Sequence, residues 1–183
     1  MADINRIFRI TPHLDALEIC QGGGCANLSH THLTQAEWDS ISKLFSPMPQ
    51  DAQAERALIA KAMAQFEIII GNKVGTYLDK AGTFKNSKFS GQQDCNDEAI
   101  NTTTYLRLLI QAGLMKMHAV EDTRTRNFFF SGWPHTTAVI RQIDNQARFA
   151  VDSWFFDNGQ PATIVPFDVW KEGYIPEGSP VSR

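Results

Sequence analysis

The stretch QQDCNDE, residues Gln92–Glu98, opens the clearest internal helix of the sequence, and the rest of the chain is organised around it. Asp94 is predicted to be the N-cap, and Asp97, three residues later, is its reciprocal partner in a capping box. Cys95 is then expected in the first helical turn, among backbone N–H groups that have no intrahelical partner. Those donors and the positive end of the helix dipole favour a thiolate, so Cys95 is a candidate nucleophile.

The other helices are predicted from similar signals. The apolar run Tyr105–Ile110 gives the Cys95 helix a face to bury, and Gly113 supplies its C-terminal stop. A second capping box, in the sequence TQAE at Thr34–Glu37, predicts another helix. Asp51 is expected to cap a longer helix, which should end just before Gly71.

The remaining segments divide into loops and strands. Residues 1–33 are expected to be irregular, and residues 71–93 read as a long loop that leads into the Cys95 helix. After Gly113 the pattern changes from helix to strand. Strands are predicted at 115–120, 127–130, 136–143, 147–155 and 162–165, with a charged turn at 121–124, a hairpin connection at 144–146 and one helical turn at 167–171. Helices followed by an antiparallel meander are typical of the α+β class.

Length and composition are those of one globular domain, 1–183, with a helical part at about 34–113 and an antiparallel sheet at about 115–165. The chain has 183 residues, of which 43% are hydrophobic and 20% are charged. A net charge of -3 and the lack of a Lys and Arg cluster argue against a nucleic-acid partner. No apolar run reaches the roughly 18 residues that a membrane-spanning helix needs, so no membrane span is expected. The oligomeric state is left open.

The cellular compartment is also left open by the sequence. Met1–Arg6 lacks the apolar region of a signal peptide. This fits either a cytoplasmic protein or a chain from which an export signal was trimmed, and the second case would place it in the periplasm or cell envelope. Cys20 and Cys25 flank three glycines, and they either form a disulfide or stay reduced in a loop. A disulfide there would leave Cys95 as the free thiol.

A candidate catalytic constellation lies downstream of the Cys95 helix. A thiol nucleophile needs a nearby base, and that base needs an acceptor on its other ring nitrogen. Cys95, His135 and Asp152 are the three groups of this kind, with His135 and Asp152 on successive predicted strands. If those strands pair symmetrically about Asn145, Asp152 lies opposite Ala138, which does not bring it to His135. Contact between His135 and Asp152 therefore requires a bulge, a slipped register or a neighbouring strand.

At these residues the chain resembles the transglutaminase-like cysteine hydrolase superfamily, particularly its uncharacterised bacterial members. Asp94–Asp97 is similar to the Asp-Cys-x-Asp signature of that family. His135–Val139 is similar to its His-bearing strand, and Val151–Trp154 to its Asp-bearing strand. The resemblance covers about residues 91–155. It implies a papain/transglutaminase-like core, in which the Cys-bearing helix packs on a C-terminal antiparallel sheet.

The resemblance also implies a role for each residue. Cys95 would attack an acyl carbon, His135 would shuttle the proton, and Asp152 would hold the imidazole. The oxyanion would be met by the backbone N–H of Cys95 and by a second donor, either Gln93 or Gln92, unless these are solvated loop residues. The expected substrate is a peptide or protein, and members of the family include peptidases, amidases and acyltransferases. Others have lost catalysis, so a non-catalytic binding module is the alternative.

Two further groups of residues have more than one interpretation. Cys20, Cys25, His30 and His32 are zinc ligand types, but their spacing is loose for a zinc finger and a disulfide is favoured over a metal site. No metal and no cofactor is therefore expected, and no partner is predicted for His118. Five aromatic residues either line an acyl or peptide groove or belong to the core, namely Trp133, Trp154, Phe128, Phe129 and Phe130.

Overall fold

A computed structural model of the protein describes residues 4–84, 90–127 and 134–181. The chain has a mixed α+β architecture of helices and antiparallel sheets, which confirms the predicted class. Of the groove candidates, Trp133 and residues 128–130 lie outside the described residues. The elements are α1 Ile4–Arg9, β1 Leu17–Gln21, β2 Asn27–Thr31, α2 Gln35–Ser42, α3 Ala52–Val74, α4 Cys95–Gln111, β3 His118–Arg126, β4 His135–Gln142, β5 Arg148–Asp152, β6 Thr163–Pro166 and α5 Phe167–Lys171, with 3-10 turns at Lys43–Phe45 and Thr76–Leu78.

Helices α2 and α4 begin where the two capping boxes predict. At α2, the Thr34 hydroxyl accepts a hydrogen bond from Glu37 N, and the Glu37 carboxylate accepts one from Thr34 N. At α4, Asp94 and Asp97 make the same reciprocal bonds, and Cys95 is the first helical residue. The capping chemistry of these two helices was therefore readable from the sequence.

Helix α3 begins as predicted, with Asp51 accepting from Ala54 N, but it does not end before Gly71. It continues for one more turn, to Gly75, which adopts a left-handed φ of 91° and terminates the helix. Gly71 instead allows a close approach, since a Cβ there would lie 3.0 Å from the backbone N of Tyr77. The loop predicted at 71–93 therefore starts later, and residues 85–89 of it lie outside the described residues.

The prediction that residues 1–33 are irregular is wrong. They contain α1 and an antiparallel hairpin, in which Leu17 pairs with Thr31 and Gln21 pairs with Asn27. The hairpin turns through Gly22–Gly24, all at positive φ. The hairpin is hard to recognise because β2 is polar and lies largely at the surface, and so it lacks the alternation that marks a strand.

Strands β3 to β6 form one antiparallel sheet in the order β3-β4-β5-β6. The prediction of a charged turn at 121–124 is wrong, because these residues lie within the strand β3. Of the strand predicted at 127–130, residues 128–130 lie outside the described residues. The pairing of β3 with β4 shifts by one residue between Glu121 and Arg124. This β-bulge takes up the extra residue, so the strand continues through its charged segment to Arg126, opposite His135.

Both faces of the sheet are covered. On one face, α4 packs on strands β3, β4 and β5 and α3 packs on β6, and Phe66 of α3 stacks on Tyr105 of α4 with their ring centroids 4.6 Å apart. On the other face, α5 and the aromatic residues after β5 form a smaller cluster around Ala150. Among the described helices, none has the length and apolar character needed to cross a bilayer. The larger core includes Leu17, Ile19, Ile41, Phe45, Ile59, Met63, Ile70, Leu106, Leu109, Ala138, Ile140 and Val151.

Candidate functional site

The register between β4 and β5 brings His135 and Asp152 together. Ala138 pairs with Val151, not with Asp152, so the register is slipped by one residue from the symmetric pairing about Asn145. Side chains alternate between the faces of a strand, so this slip moves Asp152 to the face that carries His135. Of the three ways considered for closing the gap, the slipped register is the one observed.

The slip originates in the hairpin connection. Gln142 N donates to Ala147 O, so the loop contains the four residues Ile143–Gln146 instead of the three residues 144–146 expected from the sequence. The fourth residue fits because Gln146 adopts a left-handed φ of 62°. A Gln in that conformation gives no signal in the sequence, unlike the Gly or Asn that usually marks it.

His135 and Asp152 form a buried hydrogen-bonded pair. The His135 Nε2 to Asp152 Oδ2 distance is 2.6 Å, and the two side chains are 2% and 1% exposed. Trp170 Nε1 donates to the same carboxylate oxygen at 2.7 Å. Three rings surround the imidazole, with Trp154 at 4.5 Å, Phe155 at 5.3 Å and Trp170 at 5.6 Å between centroids. The carboxylate is thus fixed by two donors in an apolar pocket, which strengthens both bonds.

The second ring nitrogen of His135 is unused. An ionised Asp152 can only accept hydrogen bonds, so the proton of a neutral His135 lies on Nε2 and the lone pair on Nδ1. Nδ1 is buried, and it has no hydrogen-bond partner within the described parts of the chain. Buried polar atoms are nearly always paired, and one that is not calls for an explanation. A base that waits for a proton from a thiol or a substrate supplies that explanation.

Cys95 lies at the start of α4, beside the start of β4. Burial raises the pKa of the Cys95 thiol to about 12, and the charges of Asp94 and Asp152 act in the same direction. Against burial, the backbone N–H groups of Cys95 itself and of Thr136, the residue after His135, act to lower the pKa of the thiol. The N–H donors expected at the helix terminus are present and act to lower the thiol pKa, but burial outweighs them.

The two candidate oxyanion residues serve other purposes in this structure. The Gln93 side chain is buried and its Nε2 donates to Cys20 O at 3.0 Å, while its backbone N donates to Asp79. The Gln92 side chain donates to Leu78 O at 2.7 Å. Both amides therefore hold neighbouring loops against the start of α4. The backbone N–H of Cys95 remains the oxyanion donor that the helix terminus offers.

Cys20 and Cys25 form a disulfide, with their Cα atoms 4.6 Å apart, which settles the alternative that the sequence left open. Cys95 is the free cysteine, and it is buried. Bonded sulfurs are not thiolates, so Cys20 and Cys25 do not offer the zinc ligands that their spacing to His30 and His32 suggested. Sulfur atoms of this disulfide and a carboxylate oxygen of Asp97 nevertheless lie within 4.8 Å of one another.

Three acids with raised pKa values, Glu67, Asp79 and Glu98, were not recognised in the sequence as a group. The Ser153 hydroxyl, next to Asp152 in the chain, donates to the carboxylate of Glu98, one turn after Cys95 on α4. Burial raises the pKa of Asp79 to about 7 and that of Glu67 to about 8, and it also raises the pKa of Glu98. The mutual charges of these acids act in the same direction. The Glu98–Ser153 bond ties the Asp152 strand to the Cys95 helix.

Trp170 is the second feature that sequence reasoning missed. It lies on α5, in a segment that offered only the signal of a short helical turn. The Trp170 carbonyl accepts from Arg126 Nη1 at 2.7 Å, and the Arg126 guanidinium carbon lies 5.0 Å from the Trp170 ring centroid. Arg126, at the end of β3, thereby holds α5 against the sheet. No local sequence pattern predicts that α5 contacts both β3 and Asp152.

These groups supply the three components of a base-activated nucleophile. Asp152 accepts from His135 Nε2, His135 Nδ1 is buried, and Cys95 lies at the N-terminus of α4 near the start of β4. In the described structure no hydrogen bond joins Cys95 Sγ to His135 Nδ1. No family model, no curated protein and no solved structure matches the chain. Its function must therefore be inferred from the geometry of this site.

Proposed function

We propose that the protein is a transglutaminase-like cysteine hydrolase or acyltransferase with a papain/transglutaminase-like core. It acts on peptide or isopeptide amide bonds through a thioester on Cys95. The observation that carries the proposal is the His135–Asp152 pair, in which the carboxylate fixes one ring nitrogen and the other is buried with no partner among the described residues. The motifs around Cys95, His135 and Asp152 add the resemblance to this superfamily.

The first half-reaction follows from the positions of these groups. The Cys95 Sγ attacks the carbonyl carbon of the amide while its proton passes to Nδ1 of His135. The oxyanion of the tetrahedral intermediate accepts a hydrogen bond from the backbone N–H of Cys95. The carbon–nitrogen bond then breaks, the amine leaves with the proton from His135, and the acyl group remains on sulfur as a thioester. Water or an amine completes the reaction, which gives hydrolysis or acyl transfer.

The electrostatics of the site favour proton transfer during attack over a preformed ion pair. A thiol with a pKa of about 12 is neutral at pH 7, so the proton must move as the carbon–sulfur bond forms. The imidazolium that results is stabilised by the adjacent Asp152 carboxylate, whose charge is strongly felt in the apolar pocket. Trp170 keeps that carboxylate oriented by donating to it.

The proposal is tested by acylation with p-nitrophenyl acetate, whose activated ester forms a thioester without the need for a known substrate. We expect a burst of p-nitrophenolate at about one equivalent and an acetyl adduct on Cys95 by mass spectrometry. Cys95→Ala should abolish both signals while the far-UV circular dichroism spectrum is retained. An equal burst in the Cys95→Ala variant would contradict the proposal. Peptide amides, with and without an added amine, then distinguish hydrolysis from transfer.

A non-catalytic binding module with the same fold is the second candidate. The observation that favours it is the burial of Cys95, which is only 5% exposed. A substrate carbonyl cannot reach the thiol in this state unless neighbouring side chains move. If iodoacetamide and p-nitrophenyl acetate both leave Cys95 unmodified in the folded protein, the binding module becomes the better assignment.

A further inference from the structure

The disulfide between Cys20 and Cys25 closes a loop of unusual backbone geometry. Gly22, Gly23, Gly24 and Cys25 have φ values of 86°, 87°, 60° and 56°. Glycine adopts such values at little cost, but Cys25 has a Cβ and adopts them only where its surroundings enforce them. Successive N–H groups in a turn of this kind point to one side and form a concave binding site for an anion.

The anions that this loop binds are the two carboxylates of the α4 capping box, those of Asp97 and Asp94. Gly23 N and Cys25 N donate to the two carboxylate oxygens of Asp97, at 2.7 and 2.5 Å. Gly24 N donates to the Asp94 carboxylate at 3.0 Å. Asp97 is fully buried, and no Lys or Arg in the described ranges forms a salt bridge with it. The backbone N–H groups of the disulfide loop therefore take the place of a countercharge.

Further bonds attach the loop along the first half of α4 and the residues before it. The Asn101 side chain accepts from Cys20 N at 2.8 Å and donates to Cys20 O at 2.9 Å. Gln93 Nε2 donates to the same carbonyl oxygen. Gly22 N donates to Gln92 O at 2.9 Å. The loop thus contacts the chain on both sides of Cys95.

We propose that the Cys20–Cys25 loop is a positioning element of the Cys95 site, and that the site is complete only after these two cysteines have been oxidised. The oxidation is a thiol–disulfide exchange, in which the two thiols pass two electrons and two protons to a disulfide-bearing oxidant. This inference rests on the proposed function for its effect on acylation, but not for its effect on the structure of α4.

The physical reason is the fate of the Asp97 carboxylate when the cross-link is absent. A reduced Cys25 is free to leave its left-handed conformation, and the N–H groups of Gly23 and Cys25 then move away. A buried carboxylate that loses its donors is strongly disfavoured, so Asp97 must take up a proton or turn outward. Either change breaks its bond to Asp94 N and loosens the turn that holds Cys95.

Removal of the disulfide gives the direct test. The chain has three cysteines, so the Cys20→Ser/Cys25→Ser variant retains Cys95 as its sole thiol. We expect acylation by p-nitrophenyl acetate to slow at least tenfold. Hydrogen exchange at the backbone amides of residues 95–98 should become at least tenfold faster, while that of α2 stays unchanged. Wild-type rates in both measurements would overturn the inference.

A second variant breaks the same contact with the disulfide intact. Asp97→Asn replaces one accepting oxygen by an NH2 group, which cannot accept from the loop. We expect slower acylation and faster exchange, as in the double serine variant. Glu37→Gln makes the same chemical change in the capping box of α2 and is the matched control, with no change expected in acylation. If the Asp97→Asn variant behaves like the Glu37→Gln variant, the inference is wrong, even if the double serine variant fails to fold.

Combining the variants separates the inference from the proposed function. Changes that act through one contact are not additive, so the triple variant should be no slower than the slower of its parents. Multiplied effects would show that the loop and Asp97 act independently and would overturn the inference. If wild-type Cys95 is never acylated, the proposed function fails, and the exchange rates at residues 95–98 still decide whether the loop holds α4.

Discussion

The described residues include two buried His–carboxylate pairs that have similar distances and differ in what else the imidazole contacts. His118 Nδ1 lies 2.8 Å from Glu55 Oε1, and His135 Nε2 lies 2.6 Å from Asp152 Oδ2. The other nitrogen of His118 lies 3.1 Å from Arg56 Nη1, so both of its nitrogens are used. The other nitrogen of His135 has no partner in the described part of the chain.

The surroundings of the first pair indicate a structural role. The Glu55 carboxylate also accepts from the backbone N–H groups of Lys116 and Met117, and thereby fixes the segment before β3 to α3. Burial acts to raise the pKa of Glu55, but the bonds from His118, Lys116 and Met117 prevail and lower it. A buried His–carboxylate contact alone therefore does not indicate catalysis. The informative feature is the unused nitrogen of His135.

The largest contrast is expected from removing each imidazole. His135→Ala should slow acylation of Cys95 by about 10⁴-fold, since it removes the general base. His118→Ala should leave the rate within a few-fold but lower the free energy of unfolding by about 3–5 kcal/mol, because it leaves Glu55 buried without its partner. Burst kinetics and urea denaturation measure the two effects. A large loss of rate in His118→Ala with full stability would break the comparison.

Exchanging the carboxylate of each pair for its amide should give the same contrast between the two pairs, but a smaller loss of acylation rate. Asp152→Asn is expected to slow acylation by about 10²–10³-fold, because orienting acids cost less than the base they orient. Glu55→Gln should leave acylation unchanged and reduce stability. Both variants are followed by the p-nitrophenolate burst and by thermal unfolding. Equal rates in the two variants would mean that Asp152 has no special role.

The Trp170 indole provides a finer test of the active pair. Trp170→Phe keeps an aromatic ring but removes the N–H that donates to Asp152. The loss of a hydrogen bond to a charged group, about 1.5–3 kcal/mol, predicts acylation slower by roughly 10- to 150-fold. Phe167→Leu is the control, because Phe167 stacks on Trp170 at 5.6 Å and has no side-chain group that could donate to Asp152. A similar loss of acylation rate in both variants would show that Trp170 acts through packing and not through its hydrogen bond.

The contributions of Glu55 and of the acids Asp79 and Glu67 to the free energy of unfolding should depend on pH in opposite senses. We expect this to be the smallest effect of the series. Glu55 has a lowered pKa, so its contribution to stability is present above the unfolded value of about 4.3 and is lost as the pH falls. Asp79 and Glu67 have raised pKa values of about 7 and 8, so their contribution is complete below about pH 4 and is lost as the pH rises through 7 and 8.

The protein should therefore unfold about 1–3 kcal/mol more easily at pH 8 than at pH 5. Glu67→Gln should reduce that difference, because a neutral amide replaces an acid that is forced to ionise. Glu37→Gln is the control, since the hydrogen bond from Lys73 lowers the pKa of Glu37 to about 2 and it stays ionised throughout this range. Chemical denaturation at the two pH values measures the difference, and equal stability would contradict the assignment.

Much of the fold and of the candidate site was predictable from local signals. Both capping boxes, the position of Cys95 as the first residue of α4 and the order of β4 and β5 follow from patterns a few residues long. The same patterns placed His135 and Asp152 on neighbouring strands. Local chemistry determines where helices begin, and the spacing of apolar residues determines which segments are strands.

The unpredicted features depend on contacts between distant parts of the chain. The neutral state of Cys95 results from burial, which a capping motif does not reveal. Trp170 reaches Asp152 only because β6 and α5 fold back on β5. The β1–β2 hairpin was missed because β2 is polar. The register of β4 with β5 was missed because Gln146 adopts a left-handed φ. In each case tertiary structure overrides a weak local signal.

The four-residue connection Ile143–Gln146 makes the register of one hairpin part of the site. A change that slips β5 against β4 by one residue would rotate Asp152 to the face opposite His135. Extra residues confined to the loop would leave the Gln142–Ala147 pair, and therefore the register, unchanged. The loop should therefore tolerate insertions, whereas a deletion that removes its left-handed position at Gln146 should separate His135 from Asp152.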